Sequence, residues 1–296
     1  MGNARRELLG PDRVVLEIDD RPGPPPLRFE ATEDGGLRLL RQRDRTVLLG
    51  GLTGEGCCHD LRLHRLDTYR SPLPPIGSAA MRSAVNPVHA YARRLEEADE
   101  SPLYDGRWEL ALRTTLPPYI WTSDLVRDWP GGSLELYCGG GWHGVLPLRQ
   151  LSPPDAARVK AYRKHARDGT LAPVLLWWVP SLDGWLLLDG HDRAVAALAE
   201  GRTPPCVVLT RLRDEELWRR DAEALTEGHR HHGERLAARP AAPGTERQQA
   251  ALDKGYGDAM AGLPYEPSSL RTWPLPGGAR AWRELAGAAM FQFSGD

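Results

Sequence analysis

The chain has 296 residues, 41% of them hydrophobic and 26% charged, with a formal net charge of -2. That length supports a sizeable core in more than one structural unit, and the near-neutral charge argues against a nucleic-acid partner, which leaves a basic footprint. Four cysteines (Cys57, Cys58, Cys138 and Cys206) are too few for a disulfide-framed secreted fold; with no secretory signal at the start and no run near the roughly 18 apolar residues of a membrane span, the expected address is the cytoplasm, away from membranes.

Residues 1–140 read as strands and loops. Apolar runs predict strands at Arg13–Ile18, Leu27–Ala31, Leu37–Arg41, Thr46–Leu49 and Trp108–Thr115, separated by Pro- and Gly-rich turns. One helix interrupts them: Asn86 caps it, Pro87 takes its first turn, and Val88, Tyr91, Ala92 and Leu95 form its apolar stripe. The cluster Cys57-Cys58-His59-Asp60, with His64 beyond, invites a metal, but adjacent cysteines lack the Cys-x₂-Cys spacing of a zinc hook, so no zinc is expected.

From Gly144 the pattern alternates. Gly144–Leu151 predicts a strand, and Ser152 with Asp155 has the spacing of a capping box, with Pro153 at the first helical position. The helix that follows places Ala156, Val159, Tyr162 and Ala166 on one face and ends at Gly169. Strands are expected at Pro173–Val179, Leu186–Leu188 and Pro205–Leu209; Trp177, Trp178 and Trp185 on them read first as core aromatics of large buried area, and second as faces on which a base can stack. Between the last two strands, Asp189-Gly190-His191-Asp192-Arg193 makes a tight polar turn into a helix over Ala194–Ala199. A helix starting there presents free N–H groups and a positive dipole end, a setting for phosphate with Arg193 as counter-charge.

Beyond Leu212, a helix is expected over Asp214–Glu227, fraying where His229, His231 and His232 fall beside Gly228 and Gly233. Ala237–Gly244 reads as a Pro/Ala linker and Gln248–Ala261 as a further helix. The segment Trp273–Phe293 is too apolar for a disordered tail and is expected to dock.

The succession of elements over Trp142–Leu212, about a quarter of the chain, together with the Asp189-Gly190-His191-x-Arg193 turn, resembles the ParB/sulfiredoxin-like superfamily. It is most similar to the branch carrying Asp-Gly-His-His-Arg, which includes ADP-dependent free serine kinases; Asp192 stands where that branch has its second His. Sulfiredoxins carry a nucleophilic Cys where this chain has His191, so their chemistry is not expected. ParB proteins carry Gly-Glu-Arg-Arg and continue into a helix-turn-helix that has no counterpart here.

The resemblance implies a nucleotide such as ADP, ATP or CTP with Mg²⁺ at the turn, contacted by Asp189, Gly190, His191 and Arg193. It implies a base from the segment before the first long helix, where Asp155 is the acid present, while Asp192 is the residue to recruit Mg²⁺ and His191 to act as acid/base or phosphate donor. The expectation is an α+β protein: a β-rich domain over 1–140, a ParB/sulfiredoxin-like α/β domain over 141–212, and a helical and irregular extension over 213–296. Two functions stay open: nucleotide binding with phosphotransfer or nucleotide hydrolysis, and a non-catalytic module that engages another protein.

Overall fold

A computed structural model describes residues 3–21, 23–53, 60–83, 85–114, 116–121, 133–136, 144–238 and 244–290. The chain is mixed α/β, with two sheets and seven α-helices among the described residues, in keeping with the expected α+β class. The strands are β1 Asn3–Leu8, β2 Arg13–Asp19, β3 Leu27–Ala31, β4 Leu37–Gln42, β5 Arg45–Thr53, β6 Asp60–Arg65, β7 Gly106–Arg113, β8 Ser133–Leu136, β9 Val145–Pro147, β10 Val174–Val179, β11 Gly184–Asp189, β12 Cys206–Arg211 and β13 Thr272–Pro274. The helices are α1 Ser78–Met81, α2 Pro87–Glu97, α3 Ala157–Arg167, α4 His191–Ala199, α5 Glu215–Ala237, α6 Thr245–Gly262 and α7 Gly278–Ala288. None of them is long and apolar enough to cross a membrane.

Seven strands form one sheet in the order β1-β2-β7-β12-β10-β11-β9, which draws on both sides of residue 141; the second sheet runs β13-β3-β4-β5-β6-β8. β10 and β11 pair antiparallel, whereas β10 with β12 and β11 with β9 are parallel. The unbroken apolar run of β10 follows from burial on both faces: Leu175, Trp177 and Val179 enter the main core with Val14, Leu40 and Tyr91, while Val174 and Leu176 pack with Leu187 and Ala194 beneath α4. On α2, Asn86 accepts from the N–H of Val88 at 2.8 Å, and the predicted stripe of Val88, Tyr91, Ala92 and Leu95 is buried.

The chain forms two compact units, Met1–Thr210 with Leu270–Asp296, and Arg211–Ser269. In the first, the apolar C-terminal segment docks as expected: β13 pairs parallel with β3, and α7 buries Trp282 on Leu39 and Leu49, with Trp282 Nε1 donating to the Arg38 carbonyl at 2.9 Å. The second unit is an excursion with a closed stem. Ser268 N–H donates to the Arg211 carbonyl at 2.9 Å, Leu212 bridges Pro267, and Arg213 pairs with Glu266 at 2.8 Å.

Two helix boundaries depart from expectation. Ser152 does not cap α3, because its hydroxyl is drawn to Asp192; α3 starts at Ala157, with Ala156 as an N-cap that supplies no side-chain bond. α5 runs through Gly228 and Gly233 to Ala237, so His229, His231 and His232 lie within it rather than on a frayed end. Each glycine costs a helix interior about 1 kcal/mol. The i,i+4 pair Glu215–Arg219 and the stacking of His229 on Tyr256 of α6, 4.4 Å between centroids, oppose that cost. The Cys57–His59 cluster lies outside the described residues, Asp60 and His64 fall in β6, and no metal-holding group of three or more His, Cys, Asp or Glu occurs among the described residues.

Candidate functional site

β11 delivers Asp189 to a turn that only glycine fits. Gly190 has φ +92°, and a Cβ there would stand 2.7 Å from Arg193 Nη2 and 2.9 Å from Val174 Cγ1. α4 starts at once, with the Ala194 N–H reaching the Gly190 carbonyl at 2.8 Å and no side chain capping the first turn. The compression brings a carboxylate, an imidazole and a guanidinium to one helix end.

Arg193 faces inward and is 2% exposed. Its Nη2 donates to Tyr91 Oη at 2.7 Å, Asp189 Oδ2 at 2.8 Å and the Pro173 carbonyl at 3.1 Å. Ser71 Oγ donates to the other Asp189 oxygen at 2.8 Å, and the Tyr91 hydroxyl donates to the Pro173 carbonyl at 2.6 Å. Burial pulls the guanidinium towards neutrality, but Tyr91 and Asp189 more than reverse this, so Arg193 titrates above its ordinary value and stays charged. Burial also raises Tyr91 well above the ordinary tyrosine range, which keeps its hydroxyl a donor.

Asp192, also buried, points the other way. Its Oδ1 accepts from Arg149 at 3.1 Å and Ser152 at 2.8 Å, and Arg158 approaches Oδ2 at 3.5 Å. Both carboxylate oxygens thus face guanidinium groups, and the arginine side chains remain 33% and 57% exposed. Asp192 neutralises its own repulsion of an anion while anchoring two cations beside the helix end.

These groups line a cavity of about 630 Å³, within the size range of small-molecule sites, roughly 300–1,000 Å³. Four arginines (Arg70, Arg149, Arg158 and Arg193) and two aspartates (Asp189 and Asp192) line it, for a net +2. His191 is part of the wall and 2% exposed; its Nε2 has no hydrogen-bond partner among the described residues. Burial, followed by Arg149, Arg65 and Arg193, holds its pKa well below 6.5, so the imidazole is neutral at pH 7. Tyr69 lies 6.0 Å from its ring centroid and donates to the Leu188 carbonyl at 2.8 Å.

The structure therefore brings Asp189, Gly190, His191, Asp192 and Arg193 to one cavity wall. Asp155 is exposed in the turn before α3 and does not line that cavity. Trp177 is core, Trp178 and Trp185 pack together 4.9 Å apart in the cluster under α4, and the aromatic rings of the wall belong to Tyr69 and Tyr162. Sequence reasoning missed Ser71, Tyr91, Arg149 and Arg158. The apolar spacing of Tyr91 marks it as core, and two more arginines do not stand out in an Arg-rich chain. No protein-family model, curated protein or solved structure matches the chain.

Proposed function

We propose that the cavity at the Asp189–Arg193 turn binds a nucleotide or another phosphorylated small molecule. The observation that carries this reading is a net +2 wall around a helix start with no side-chain cap, holding a buried neutral imidazole whose Nε2 lacks a partner among the described residues. In it, Arg149 and Arg158 hold phosphate, each charge-assisted bond contributing about 1.5–3 kcal/mol, and the α4 amides and His191 complete the cradle. Arg193 positions the turn from behind, through Asp189 and Tyr91. Mg²⁺ enters with the nucleotide, because both Asp192 oxygens already face cations. A neutral imidazole also offers a base, so the proposal extends to phosphotransfer or hydrolysis of the bound nucleotide.

Thermal unfolding with ADP, ATP and CTP, each with Mg²⁺, tests the proposal. A ligand at a hundred times its Kd stabilises by about 2.7 kcal/mol, and the Arg149→Ala/Arg158→Ala variant is expected to lose most of that gain. The ligand-induced increment is compared, since Asp192 loses partners in the variant. Equal increments in both proteins, or no response to any nucleotide, would refute the nucleotide reading; a flat response to inorganic phosphate and pyrophosphate as well would refute the proposal and favour the protein-binding module. Phosphate release from a nucleotide that binds then separates catalyst from carrier.

A further inference from the structure

A second cavity, about 450 Å³, shares Pro75 with the first. Tyr91 lines it, and the Tyr91 hydroxyl bonds to Asp189 and Arg193 of the first wall. The character of the two walls differs. Ile76, Met81 and Leu171 form one apolar cluster with Ala166 and Ala197, and Ala90, Tyr91 and Pro173 extend that surface around the second cavity. Nothing assigned to the phosphate site uses this space.

Its charged groups all come from α2. Arg93 is exposed at the cavity and makes no hydrogen bond or ion pair among the described residues. Arg94 donates to the Pro74 carbonyl and lies over the Tyr91 ring, 5.9 Å from its centroid. Glu97, the acid of this wall, lies in the field of Arg6 as well. Two guanidinium groups against one carboxylate leave the wall cationic above an apolar floor. That combination recognises a ligand with one anionic head and a hydrocarbon body. A cation would meet Arg93 and Arg94, and a neutral molecule would leave Arg93 without a counter-charge.

We infer that this cavity is a separate binding site for a small amphipathic monoanion of the medium-chain carboxylate class. The site does not depend on the nucleotide reading, because none of its charged groups lines the first cavity. Burial of each added CH₂ is expected to tighten binding about three- to fourfold until the cavity is filled. The carboxylate adds its own contribution at Arg93.

Titration calorimetry of the full chain with butanoate, hexanoate, octanoate, octan-1-ol and octylammonium tests the inference. Affinity is expected to climb along the carboxylate series, with octanol weaker than octanoate by about tenfold, a difference of about 1.4 kcal/mol, and octylammonium weaker still. Arg93→Gln, an exposed change, is expected to bring octanoate down to the level of octanol, and Ala90→Trp, which fills the cavity, to abolish both. Arg149→Ala/Arg158→Ala is expected to leave octanoate unchanged, so failure here and failure of the nucleotide proposal are read separately. Absence of octanoate binding, indifference to chain length, octanol equal to octanoate, or full octanoate affinity in Arg93→Gln would overturn the assignment. Should Ala90→Trp not fold, the Arg93→Gln comparison decides alone.

Discussion

Arg193→Leu is expected to destabilise the protein by about 3–5 kcal/mol, the cost of leaving a buried carboxylate without its cation. Asp189 is 7% exposed, and once Arg193 is gone its oxygens keep, among the described residues, the Ser71 hydroxyl and a long contact of 3.4 Å with the Tyr91 hydroxyl, whose proton serves the Pro173 carbonyl. The Pro173 carbonyl would also lose one of its two donors. Deleting both charges, as Arg193→Leu/Asp189→Leu, is expected to recover much of the loss, because a buried ion pair replaced by apolar groups is often close to neutral. Denaturant unfolding of the two single variants and the double variant measures the coupling. A single-variant cost under about 1 kcal/mol would place the pair with screened surface bridges and remove the positioning role argued for Arg193.

As the pH falls from 7.5 towards 5, the buried imidazole of His191 is expected to withdraw stability. His191 titrates well below 6.5 in the folded chain and near 6.5 once unfolded, so below that pH the unfolded state binds the extra proton. Stability is therefore fully retained above 6.5 and falls as the pH drops, at up to about 1.4 kcal/mol per pH unit, until the folded-state pKa is reached. His191→Asn, which cannot take up that proton, is expected to flatten this part of the profile in denaturant unfolding across the pH range. An unaltered slope in the variant would show that another group carries the acid response. A bound phosphate would favour imidazolium, so saturating nucleotide is expected to shift the acid limb to lower pH in the wild type and not in the variant.

The sequence makes the local elements around the site legible because each is set by short-range chemistry. Strand-forming leucines, a Gly-only turn and an Ala-rich helix fix the Asp189–Arg193 bend, and the Asn86 cap and its apolar stripe fix α2. Side-chain orientation across long separations is not legible in the same way. Whether Arg193 faces a cavity or the interior depends on Tyr91, 102 residues away, and on the Pro173 carbonyl. Ser152 satisfies a capping pattern on paper, yet Asp192, 40 residues on, competes for its hydroxyl. Short edge strands such as β13 carry no periodicity of their own; partners elsewhere in the sheet create them. Arg149 and Arg158 become interpretable only once Asp192 is seen to bind both.

The stem of the Arg211–Ser269 unit has a topological corollary. Because the departing and returning strands of chain are held side by side, a few residues would suffice to bridge Thr210 to Leu270, and shortening the excursion changes the entropy of closing it only logarithmically. The helical arm is thus wired as an accessory, open to excision or exchange without rerouting the polypeptide that builds the two sheets.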